Sequence, residues 1–93
     1  MITAIVNINA VVDRIGEVAE AIAVLDGVSE VYSVAGDVDL VAIVRVRQHD
    51  DLAEVIAGRL NKVPGVLATQ TLIAFRAYSR HDLESTFSLG SQP

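Results

Sequence analysis

Two carboxylates one residue apart, Asp37 and Asp39, follow Gly36 in the stretch "VYSVAGDVD" and directly precede the apolar run "LVAIV". Such a pair can offer oxygens to a calcium ion, but calcium takes six to eight oxygen ligands. No third acid and no closing glutamate stand nearby. The same residue types also make hairpin turns, because glycine permits positive φ and aspartate bonds its own backbone. His49, in "QHDDL", and His81-Asp82, in "RHDLE", are the remaining groups with acid–base capacity near neutral pH. Neither has a partner in a G-x-S-x-G elbow, and no P-loop or G-x-G-x-x-G fingerprint is present. The absence of cysteine excludes disulfides and thiolate metal sites, and two histidines do not make a histidine-rich zinc site. No cofactor is expected, and nothing in these residues asks for an enzyme.

The composition narrows the partners. A net charge of −5, with seven scattered basic residues, argues against direct nucleic-acid binding, which needs clustered Lys and Arg. Only Arg45 and Arg47 lie close together on one strand. The amino terminus "MITAIVNINAVV" has no basic region and no cleavage site, so it reads as neither signal peptide nor membrane span. The run Leu40–Val44 is far too short to cross a bilayer. A soluble cytoplasmic protein is expected. At 93 residues the chain makes one small domain, yet 52% of it is apolar. A domain of this size buries only about 60–70% of its unfolded surface. Association between subunits would cover the remaining aliphatic area.

The elements that must position the aspartates come from a duplication. Residues 4–28, "AIVNINAVVDRIGEVAEAIAVLDGV", overlay residues 42–66, "AIVRVRQHDDLAEVIAGRLNKVPGV", at an offset of 38 without a gap. Each copy predicts strand, helix, strand. Ala4, Val6, Ile8 and Ala10 alternate with Thr3, Ile5, Asn7 and Asn9 in a strand over about 3–10. Ile15, Val18, Ala19, Ile22 and Leu25 form one stripe of a helix over about 13–25, with Asp13 as its cap and Gly27 ending it. Strands follow over about 29–36 and 40–47. A second helix over about 50–63 turns Leu52, Val55, Ile56, Leu60 and Val63 inward, capped by Asp50 or Asp51 and stopped by Pro64-Gly65. The last strand covers about 66–77.

The order βαββαβ with right-handed crossovers predicts an α+β, ferredoxin-like fold of the dimeric α/β-barrel type: a four-stranded antiparallel sheet with both helices on one face. The other face, expected to carry Ile5, Asn7, Ile43, Arg45, Thr69, Thr71 and Ile73, is left bare. Pairing of two such faces predicts a homodimer as the minimum unit.

The arrangement "VSEVYSVAGDVDLVAIVRV" followed by "LNKVPGVLATQTLIAF" resembles the effector-binding (RAM) domain of the Lrp/AsnC transcription regulators. The motifs that carry the resemblance are Tyr32, the turn Val34-Ala35-Gly36-Asp37-Val38-Asp39, Pro64-Gly65-Val66 and Thr69-Gln70-Thr71. It implies a homodimer, gathered into octamers or rings, with amino acid effectors at subunit interfaces. It assigns ligand binding to Tyr32, Ala35, Gly36, Asp37, Val38, Asp39, Thr69 and Thr71. The chemistry agrees: the backbone at Gly36 can approach a ligand closely, Asp37 or Asp39 can accept from an ammonium, and Thr69 or Thr71 can supply hydroxyls. This sequence has Ala35 where members commonly carry Thr or Ser, and Val38 where an aromatic is common. Both changes bear on which ligand is preferred.

The resemblance covers about residues 2–77. The expected organisation is an effector-binding domain over 1–78 and a tail over 79–93, whose Leu83, Phe87 and Leu89 could dock on a neighbouring subunit. Full-length regulators carry an amino-terminal helix-turn-helix domain, whereas this sequence begins at the first strand. It therefore reads as an amino-acid-sensing module acting through association, including with a full-length Lrp/AsnC regulator. The alternatives are a small dimeric α/β-barrel enzyme of monooxygenase or isomerase type, which would need a cleft lined by His49 or Tyr78, and an ACT-like regulatory domain with its site at another loop.

Overall fold

The computed structural model describes residues 1–80; His81, Asp82, Leu83, Phe87 and Leu89 lie outside the described residues. Strand β1 (Ile2–Ala10) keeps the alternation of its sequence: Ala4, Val6, Ile8 and Ala10 are buried, while Thr3, Ile5, Asn7 and Asn9 are half-buried. Strand β3 (Leu40–Val46) repeats it with Leu40, Ala42, Val44 and Val46. These two strands, first in their respective copies, lie side by side at the centre of the sheet, flanked by β2 (Val28–Ser33) and β4 (Val66–Ile73) in the order β2-β3-β1-β4. Every neighbouring pair is antiparallel. The fold is the expected ferredoxin-like α+β arrangement.

Helix α1 (Ile15–Ala23) buries Val18 and Ile22 against the inward strand residues. Its entry differs from the expectation. Asp13 lies inside a 3-10 turn, Val12–Arg14, and its side chain caps nothing. The second helical stretch begins as α2 (His49–Leu52), where Gln48 holds the cap position and the Asp51 carboxylate reaches back to accept from the Gln48 amide at 3.2 Å. Asp51 thus stabilises the helix start from inside the first turn, where an acid complements the helix dipole. The chain then widens into a π-helical segment, Ala53–Ala57, and ends in a 3-10 turn, Leu60–Lys62. Leu52, Val55, Ile56 and Leu60 are buried as expected, and Val63 packs at the core's margin. Burial of each large aliphatic side chain contributes about 1.5–3 kcal/mol.

The two copies are locked together at their joints. A Cβ on Gly27, which ends the first copy's helix, would lie 2.6 Å from Val55 of the second. A Cβ on Gly65, at the matching position, would lie 2.6 Å from Val18 of the first. Each Gly-Val joint therefore packs under the other copy's helix, and Arg59 Nη1 adds a hydrogen bond to the Asp26 carbonyl at 3.3 Å.

One face assignment is corrected. In the register of β4, Thr69, Thr71 and Ile73 lie opposite Ile8, Val6 and Ala4, whose side chains enter the core. They belong to the helix side of the sheet, and Ala68, Gln70 and Leu72 belong to the open face. A register irregularity at Asn9/Ala10 shifts the parity of β4, and a one-residue shift moves every side chain of a strand to the opposite face. The open face is then built by Ile5, Asn7, Ile43 and Arg45 as expected, joined by Glu30, Tyr32, Val41 and Leu72.

Candidate ligand loop at the sheet end

Strand β2 ends at Ser33, before the glycine, so residues 34–39 form a connection of six residues rather than a tight two-residue turn. It closes where the Val34 amide donates to the Asp39 carbonyl at 3.1 Å. Gly36 has φ +147°, a conformation that disfavours any side chain, although a Cβ there would meet nothing within 4 Å. Backbone shape alone explains this glycine, and the space above it is open to a ligand. Ala35, Gly36 and Asp37 are exposed, while Val38 and Asp39 are half-buried.

The two aspartates are in different situations. The Asp37 carboxylate has no hydrogen-bond or ion-pair partner among the described residues. Asp39 accepts from the Ala10 amide through Oδ2 at 2.9 Å, and its own amide donates to the Ile8 carbonyl at 3.0 Å. The next amide along, that of Val11, donates to the Gly65 carbonyl at 2.9 Å. The Gly-Asp-x-Asp loop and the Pro-Gly-Val joint, far apart in sequence, thus meet at the end of β1.

Tyr32 sits near this end of the sheet on the open face, but its hydroxyl is turned away from the loop and donates to Glu30 Oε2 at 2.6 Å. Glu30 Oε1 lies 3.6 Å from Arg45 Nη1. The hydrogen bond to Glu30 and that residue's negative charge hold the Tyr32 phenol above the usual tyrosine range, with Arg45 opposing in part. Thr69 lies across β1 from the loop, on the helix side, and its hydroxyl contacts Asn61 Oδ1 at 2.8 Å. Thr71 is exposed on the same edge strand. Ala35–Asp39 therefore cluster, whereas Tyr32, Thr69 and Thr71 do not converge with them within one chain.

Sequence reasoning missed Ala10 and Glu30, and placed Arg45 on the open face without its Glu30 partner. The duplication already implied that β1 and β3 are equivalent central strands, which is the signal for Ala10: a carboxylate just before β3 lies beside the end of β1. A recess of about 430 Å³ on the open face is lined by residues including Thr3, Ile5, Ile43, Arg45, Phe75 and Arg76. Neither His49 nor Tyr78 lines it, and both are exposed. No helix among the described residues is long and apolar enough to cross a membrane.

Comparison with known proteins agrees with this architecture. The Lrp/AsnC ligand binding domain matches residues 3–83, and the chain belongs to that family. TTHA0845 from Thermus thermophilus is 48% identical and superposes with a TM-score of 0.80, covering 86% of this chain and 100% of that one. The HTH-type transcriptional regulator PH1916 of Pyrococcus horikoshii is 39% identical over 59 residues, 63% of this chain. The chain spans 39% of the length of the curated relatives it matches. The regulator NMB0573 of Neisseria meningitidis, whose structure is a complex with L-Met, shares the fold at 12% identity and a TM-score of 0.75, over 85% of this chain and 53% of that one.

Proposed function

We propose that this domain senses an amino acid and acts on transcription through association between subunits, in a homodimer or a larger ring and in contact with a full-length Lrp/AsnC regulator. The observation that carries the reading is the Asp37 carboxylate: exposed and unpartnered among the described residues, beside a glycine with open space above it. That is an acceptor suited to an ammonium group, and a charge-assisted bond of this kind is worth about 1.5–3 kcal/mol. Thr69 and Thr71, on the opposite edge of the sheet, supply hydroxyls from a second subunit. The site is then completed only by association, so ligand and assembly are coupled through the ligand's different affinity for the two states.

The half-covered open face, with Ile5, Val41, Ile43 and Leu72, supports pairing with a second copy. Titration calorimetry with the twenty amino acids, each followed by sedimentation velocity, tests the proposal. At least one amino acid should bind and shift the sedimentation coefficient. Silence across the panel overturns sensing, and a monomer at micromolar concentration overturns the paired sheets.

A further inference from the structure

We infer that the two carboxylates of the loop divide its work: Asp39 is a positioning residue that clasps the loop to the end of β1, and Asp37 is the carboxylate left to meet the ligand. The second half of this inference rests on the proposed function; the first does not.

The clasp is built from three contacts of one residue. The Asp39 amide donates to the Ile8 carbonyl, its carbonyl accepts from Val34, and its Oδ2 accepts from the Ala10 amide. Ala10 stands beyond the last residue pair of β1 with β3, Ile8 with Leu40. With the chain already turning into the loop there, the Asp39 side chain supplies the acceptor that the strand no longer provides. A strand-end amide in a part-buried setting needs such a partner. Fixing Asp39 on β1 fixes the closing end of the loop, and the Val34 bond carries that constraint across to its opening end. Gly36 and Asp37 are held between them, outside the clasp. Because the neighbouring Val11 amide binds Gly65, the loop is also referenced to the joint between the two copies.

The chemistry separates the roles. An asparagine at 39 keeps an acceptor oxygen for the Ala10 amide but loses the charge; an alanine loses both. An asparagine at 37 removes only the charge that an ammonium would meet. Hydrogen exchange of the Ala10 amide, measured by NMR on the full chain without any ligand, reads the clasp. D39A should speed it at least about tenfold, while D39N and D37N stay within about threefold of the wild type. An Ala10 amide whose exchange is unchanged in D39A overturns the clasp. Titration of the twenty amino acids reads the second half. For an amino acid that binds the wild type, D37N should weaken affinity at least about tenfold, with D39N within about threefold. Loss of affinity in D39N as large as in D37N would place the Asp39 charge on the ligand and overturn the division. If no amino acid binds the wild type, the role of Asp37 falls with the proposed function, while the exchange result still decides the clasp.

Discussion

Gly27 and Gly65 occupy matching positions in the two copies, and Gly36 lies in the segment that joins them. All three have positive φ, but the reasons differ. At Gly27 and Gly65 a valine of the other copy fills the space where a Cβ would stand, whereas above Gly36 there is nothing within 4 Å. The duplicated glycines serve packing, and the unduplicated one shapes an exposed loop. The fold is therefore made twice, and the candidate site once, in sequence that has no counterpart in the other copy. That separation allows the loop to vary in sequence without disturbing the core.

The contrast can be broken most directly at the joints. Gly65→Ala places a Cβ against Val18, itself 1% exposed, in a backbone conformation unsuited to alanine. The expected loss of stability is about 2–4 kcal/mol by denaturant unfolding, from overpacking and left-handed strain together. Gly27→Ala, against Val55, should cost a similar amount. Gly36→Ala carries the backbone strain without the clash, so its cost should be about 1–2 kcal/mol. Equal losses at all three positions would refute the distinction between packed and open glycines.

Smaller effects sharpen the loop side of the comparison. Asp37→Asn should leave unfolding stability within about 0.5 kcal/mol of the wild type, because surface changes without partners rarely do more. A larger change would mean that the core depends on this carboxylate. The smallest test concerns the open face. The raised phenol of Tyr32 keeps its proton, and so its bond to Glu30, as pH rises through the ordinary tyrosine range, and loses it above that range. In Glu30→Gln the ring should titrate at lower pH than in the wild type, as followed by NMR of the Tyr32 ring. An unmoved titration would show that Glu30 does not govern the phenol.

Much of this was legible in the residues. The alternation of β1, carried onto β3 by the 38-residue overlay, identified the core faces, because period two admits only one inward set on a sheet covered on one side. The shared Gly-Val endpoints located the joints. The parity of β4 was not legible: "VLATQTLI" mixes small, polar and aliphatic residues on both faces, and the irregularity beside Ala10 sets which of them turn inward. Helix entries also escaped, since Asp13 and Asp51 are equally good caps by type, and only backbone geometry put one in a turn and the other at the third position of its helix. In the loop, the two aspartates look alike in sequence. Their difference comes from the end of β1, a strand far away along the chain.

The sequence by itself determined the duplicated βαββαβ plan, the inward residues of the central strands, and the family to which the loop and the Pro-Gly-Val joint belong. These follow from local periodicity and from residue types with narrow conformational uses. The tertiary structure alone decided that Gly27 and Gly65 each seat a valine from the other copy, that Thr69 and Thr71 face the helix side, and that Asp39 is engaged while Asp37 is not. Those facts depend on which strand ends lie side by side, and hydrogen-bond geometry across a sheet is set by register rather than by any local pattern of residues.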